Sequence, residues 1–119
     1  MLQILKMTLG PAATNAYLVS DTESGQSAVI DPSWDGHLIL DAANQRGWRI
    51  STIWLTHAHW DHIGGAAAVA DGSNPPPPVA LHPQDYTLWR AGGGATLWGQ
   101  TMAPGPEPTI DLAHAPSSF

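Results

Sequence analysis

The chain opens with LQILKMTL (2–9), an apolar-rich run that predicts a strand, and GPAAT breaks it with a Gly-Pro turn. NAYLVSD (15–21) places Tyr17 and Val19 on one face and Ala16 and Leu18 on the other. That pattern predicts a strand at least partly covered on both sides. TESGQ is turn chemistry, and SAVIDP (27–32) is a short apolar strand stopped by Pro32. Together the three runs predict an antiparallel opening.

The period then changes. In SWDGHLILDAANQRGW (33–48), Ile39, Ala42 and Ala43 share one helical face, Ser33 or Asp35 can cap the start, Arg46 falls in the last turn, and Gly47 ends it. RISTIWLT (49–56), rich in β-branched and aromatic residues, predicts the central strand. IGGAAAVAD (63–71) predicts a helix with Gly64 and Gly65 in its first turn and Gly72 just past its end. SNPPPP (73–78) is a polyproline spacer. VALHP (79–83) predicts a short strand, and PQDYTLWRA (83–91) a helix halted by Gly92, Gly93 and Gly94. From 99 to 119 turn-formers dominate, which predicts a loosely structured tail. The order is β-β-β-α-β-α-β-α.

Composition narrows the chemistry. The 119 residues fit one small domain or part of a larger one. Lys6, Arg46, Arg49 and Arg90 are the basic residues, scattered against a net charge of −6, so no patch exists to follow a nucleic-acid backbone. Nor is there a basic amphipathic stretch for a membrane surface, or an apolar run of the roughly 20 residues a span needs. MLQILKMTLGPAATN is too interrupted for a signal peptide, so a soluble cytoplasmic protein is expected. The absence of cysteine leaves histidine and carboxylate as metal ligands.

Those residues concentrate in one place. THAHWDHIGG (56–65) holds three of the six histidines around one aspartate. His57 and His59, at i and i+2 just beyond a strand, would present both imidazoles to the same side on extended backbone. Two imidazoles suit zinc, iron or manganese. Asp61 and His62 follow where the chain turns into the next helix, and Gly64 and Gly65 allow close backbone approach. Metal coordination lowers the pKa of water toward ~7, and a carboxylate beside it can orient it and relay its proton. The alternative, a solvated surface loop, gives no reason to gather histidine behind an apolar strand.

His57, His59, Asp61 and His62, in the order H-x-H-x-D-H after a strand, resemble the metallo-β-lactamase superfamily. TNAYLVSD (14–21) and AVIDP (28–32) resemble two strands of that family, and the likeness covers essentially residues 1 to 90. It implies an α/β fold, the N-terminal half of an αββα sandwich of mixed sheet with flanking helices. It also implies that His57 and His59 bind a first metal, Asp61 and His62 a second, and that Asp31 supports the site from behind its ligands. Asp31 could instead be a turn residue before Pro32. The cofactor implied is zinc, one or two ions, with iron or manganese as substitutes. The reaction implied is hydrolysis of a small-molecule ester, thioester or lactone by metal-activated hydroxide, with Asp61 catalytic. The motifs look most like hydroxyacylglutathione hydrolases of the glyoxalase II type.

The family needs later ligands, a third histidine, a bridging aspartate and a late histidine, and no matching motif appears here. PTIDLAHA (108–115) looks like the lead-in to the third-histidine hairpin. The expectation is therefore a partial domain over 1–119. His82 and His114 are the remaining candidate ligands, both weaker, while His37 reads as an exposed helix residue. The six tryptophans read as packing residues, with Trp60 a candidate pocket wall. Two other classes stay open: a catalytically silent fragment, and a small metal-binding protein that homodimerises through an exposed sheet face. A related RNA-processing nuclease fits poorly with so few basic residues.

Overall fold

The computed structural model describes residues 1–56, 58–99, 105 and 107–111, excluding the side chains of Trp98 and Asp111. Its frame is one mixed sheet. Strands β1 (Leu2–Leu9), β2 (Thr14–Asp21), β3 (Gln26–Ile30), β4 (Arg49–Trp54), β5 (Val79–Leu81) and β6 (Ile110–Asp111) lie in that spatial order. The β1–β2 and β2–β3 pairs are antiparallel, as the opening pattern predicted, and the later pairs are parallel. β4 lies inside the sheet, between β3 and β5.

The register explains which side is core. Leu5, Leu18, Val29, Ile53 and Val79 stand directly opposite one another across five strands. All but Leu5 are buried, and Leu5 packs at the margin of that core. Helices α1 (Gly36–Gln45) and α3 (Ala66–Asp71) add Ile39, Ala43, Ala66, Val69 and Ala70 to it. Burying a Leu, Ile or Val side chain contributes about 1.5–3 kcal/mol, so this layer supplies most of the fold's drive. The opposite face carries Ile4, Val19 and Ala28 in one row and Tyr17, Ile30 and Trp54 in the next. Ile4 is 68% exposed. The other five are half-buried. No helix among the described residues is long and apolar enough to cross a membrane.

Two local expectations need correction. The helix predicted over 63–71 is two helices, α2 (Trp60–Ile63) and α3, with Gly64 and Gly65 between them. The break is set by packing: the Gly65 amide donates to the Pro32 carbonyl at 2.6 Å, and a Cβ on Gly64 would stand 2.5 Å from the Ser33 carbonyl oxygen. Neither Ser33 nor Asp35 caps α1. Asp35 occupies the N-cap in a left-handed conformation (φ 45°) with no capping bond, and the Ser33 hydroxyl donates to the Thr14 carbonyl instead. Within the segment read as a loosely structured tail, Ile110 and Asp111 extend the sheet beside β5.

The second half of the chain closes around the helices. A 3-10 turn (Pro83–Asp85) leads into α4 (Tyr86–Arg90). Gly92, Gly93 and Gly94 then take left-handed φ angles of 67°, 67° and 76°, which stops α4 as expected and begins a kinked 3-10 stretch, Gly92–Trp98. Arg90 Nε pairs with Glu107 Oε1 at 3.1 Å and ties α4 to the segment before β6.

Candidate metal centre

The site forms where β3 and β4 end side by side. Asp31 leaves β3 at φ 52°, a left-handed conformation that aspartate tolerates better than most residues. Its amide donates to the Trp54 carbonyl at 2.9 Å. Its carboxylate is buried, only 8% exposed, and is held from two directions. The Thr56 amide donates to Oδ1 at 2.8 Å, and the Thr56 hydroxyl donates to Oδ2 at 2.6 Å. The third partner of this carboxylate is His62, whose Nδ1 lies 3.0 Å from Oδ2.

That contact decides how His62 is presented. A carboxylate can only accept, so Nδ1 carries a proton, and Nε2 is the ring nitrogen turned toward Asp61. Nε2 lies 3.6 Å from Asp61 Oδ2, and Asp61 Oδ2 in turn accepts from the Thr14 hydroxyl at 3.1 Å. Thr56, Asp31, His62, Asp61 and Thr14 thus form one connected line of hydrogen bonds and close polar contacts, running from the end of β4 through α2 to the start of β2. Helix α2 is only one turn long: the His62 amide donates to the carbonyl of His59, its N-cap, at 2.9 Å, and Gly64 lets the Trp34 ring lie across its end. Trp34 meets Trp60 edge to face at 5.8 Å, walling one side.

The donors fit a divalent metal. Two ligands each about 2.0–2.2 Å from one ion stand roughly 3–4 Å apart, and His62 Nε2 and Asp61 Oδ2 have that separation. An imidazole nitrogen whose other nitrogen is fixed by a carboxylate is the usual orientation of a histidine ligand. Among the described residues no group of three histidine or carboxylate side chains converges on one point. His57 lies outside the described residues.

Against known proteins, residues 9–117 match the family model of the Metallo-beta-lactamase superfamily. The chain belongs to this superfamily. The "Probable metallo-hydrolase YqgX" of Bacillus subtilis is 39% identical over 109 residues, which is 91% of this chain and 48% of that protein. A "Hydroxyacylglutathione hydrolase" of Ruegeria pomeroyi is 40% identical over 60 residues, 50% of this chain and 23% of that protein. Among solved structures, the di-iron-bound form of TTHA1623 superposes with a TM-score of 0.79 at 35% identity, over 91% of this chain and 53% of that one. The chain spans at most about half the length of these relatives.

In this metallo-β-lactamase frame, the residues singled out in the sequence fall as follows. Asp31 and Asp61 each meet His62, at its Nδ1 and Nε2 respectively. His59 stands at the N-cap of α2, exposed, in extended conformation (φ −67°, ψ 146°). His82 caps the 3-10 turn, its Nδ1 accepting from the Gln84 amide at 3.2 Å. His37 is an exposed residue of α1, and His114 lies outside the described residues. Thr14, Thr56 and Trp34 were not anticipated as site residues. Thr56 carried a signal, as a hydroxyl residue directly before the motif, whereas Thr14, at the start of β2, lies far from it in sequence. Trp34 carried none, because its position depends on Gly10 and Gly64, between which its ring is held.

Proposed function

We propose that this chain carries the metal-binding half of a hydrolase site that acts on a small thioester, ester or lactone, and that it works as a soluble cytoplasmic protein. Zinc, as one or two ions, is the proposed metal, with iron or manganese as substitutes; His57 and His59 are the proposed ligands of one position, and Asp61 and His62 of the other. The observation that carries this reading is the line of contacts Thr56–Asp31–His62–Asp61–Thr14, in which the Asp31 carboxylate holds His62 Nδ1 and turns Nε2 toward Asp61. When bound, the metal supplies Lewis acidity toward the substrate carbonyl and makes water acidic enough to ionise near neutral pH.

The chain's own residues do the rest. Asp31, anchored by Thr56, holds the proton on His62 Nδ1 and keeps Nε2 facing the site. The Thr14 hydroxyl occupies Asp61 Oδ2, leaving Oδ1, which no hydrogen bond among the described residues engages, to orient the attacking water and take up its proton. Thioesters are favoured as substrate because hydroxyacylglutathione hydrolases recur among the relatives.

A second reading follows from the open sheet face: the chain homodimerises through Ile4, Tyr17, Val19 and Ile30, and the copies supply ligands to one another or act without catalysis. Metal stoichiometry and hydrolysis, measured together on zinc-, iron- or manganese-loaded protein with a thioester and a lactone, separate these. The expected result for the 119 residues is weak metal uptake that falls in stoichiometry in Asp61→Ala and His62→Ala, with little turnover. Turnover that rises with the dimer fraction would favour the second reading, and no metal uptake would sink both.

A further inference from the structure

The histidine loop has a second support that the metal motif does not contain. Asp85 sits at the N-cap of α4, where an aspartate ordinarily accepts a hydrogen bond from its own helix, yet it makes no capping bond there. Its Oδ2 instead accepts from the amide of Ala58 at 3.2 Å, reaching back 27 positions to the residue between His57 and His59. Ala58 itself is fully buried, so this amide depends on a protein partner. Gly93 closes the same loop from its other side. It is buried at φ 67°, and a Cβ there would lie 2.7 Å from both the Ala58 carbonyl oxygen and the Trp60 Cα. The two contacts grip successive backbone groups of the stretch from which His59 projects.

We propose that Asp85 is a positioning residue for the histidine loop, and that Gly93 completes a bracket with it, so that the segment after β5 presets the backbone on either side of His59 for metal. This rests on the metal-site reading above. A carboxylate suits the role because it accepts without needing a particular rotation, and the left-handed glycine suits it because any side chain would push the loop outward. The bracket also explains why a segment so far along the chain packs against α2 rather than only against the sheet.

The test uses the 119-residue protein in two arms. In metal-free protein, amide hydrogen exchange at Ala58 is expected to rise at least tenfold in Asp85→Ala and to stay near wild type in Asp85→Asn, which keeps an acceptor oxygen. In zinc titrations, Asp85→Ala is expected to weaken binding about 10–100-fold, and Asp85→Asn by less than about threefold. Gly93→Ala is expected to weaken zinc binding to a similar degree, and with Asp85→Asn it carries the test if Asp85→Ala does not fold. Wild-type exchange and affinity in Asp85→Ala would overturn the proposal. So would equal damage from Asn and Ala, because that would make the charge, not the accepted bond, the cause. If the wild type binds no zinc, the metal reading fails, while the exchange arm still decides whether Asp85 holds Ala58.

Discussion

Asp31 shows how much of the site depends on one side chain. Its carboxylate serves the Thr56 amide, the Thr56 hydroxyl and His62 Nδ1 together, so Asp31→Ala strands three groups at once. Leaving part-buried donors unsatisfied costs about 1–3 kcal/mol. The expected outcome is a loss of about 2 kcal/mol in denaturant unfolding together with a 10–100-fold weaker zinc affinity. Thr14 separates those effects. Thr14→Val keeps the shape of the side chain and removes the donor to Asp61. Stability should move by no more than about 1 kcal/mol while metal affinity falls roughly tenfold, and Thr14→Ser should restore it. A Val variant with unchanged zinc affinity would show that Asp61 needs no support from β2.

At the scale of elements, the glycines between helices decide where the motif sits. A Cβ on Gly65 would meet the Pro32 and Trp34 carbonyl oxygens at 3.0 Å, and one on Gly36 would meet Ala68 Cβ at 2.8 Å, so α1 and the α2–α3 break touch backbone to backbone. Gly65→Ala should therefore destabilise the fold by about 1–3 kcal/mol through overpacking and weaken metal uptake as α2 shifts. Gly47 provides the contrast. It has φ 69°, and a Cβ there would meet nothing within 4 Å, so Gly47→Ala should cost only the left-handed strain, about 1–2 kcal/mol, with zinc affinity unchanged. The same elements show what the sequence made legible. The apolar runs at 2–9 and 15–21, the period change after Pro32 and the histidine spacing all rest on neighbours in the chain, and the strands and α1 follow the first two. The split of α2 from α3, the uncapped Asp35 and the Asp85–Ala58 bond do not, because each is set by a partner distant in sequence. His57 and His59 stand out in the sequence as a candidate pair, whereas the carboxylate that braces the residue between them lies 27 positions away, beyond a polyproline run.

For the whole molecule, the unequal faces of the sheet carry the strongest consequence. One face is sealed by α1 and α3, and the other presents Ile4, Tyr17, Val19, Ile30 and Trp54 in two adjacent rows. Leu2 and Ile4 are 69% and 68% exposed on β1, the edge strand, so apolar surface and an unpaired strand edge coincide. Monomeric proteins rarely leave such a surface open, and an edge of this kind pairs with other chains. The 119 residues are therefore expected to self-associate in dilute buffer, with a concentration-dependent mass in sedimentation equilibrium. Ile4→Lys places a charge on the edge at a position that contributes nothing to the core, so it should shift the distribution toward monomer while leaving the unfolding midpoint nearly unchanged. Zinc gives the second axis of the experiment. If copies complete one another's ligand sets, metal should raise the associated fraction of the wild type, and Ile4→Lys should lower zinc affinity along with association. If each copy holds metal by itself, Ile4→Lys should dissociate the assembly and leave the zinc titration as it was. A monodisperse, cooperatively unfolding wild-type monomer would show that the open face is tolerated in water, and the dimerising reading would fall.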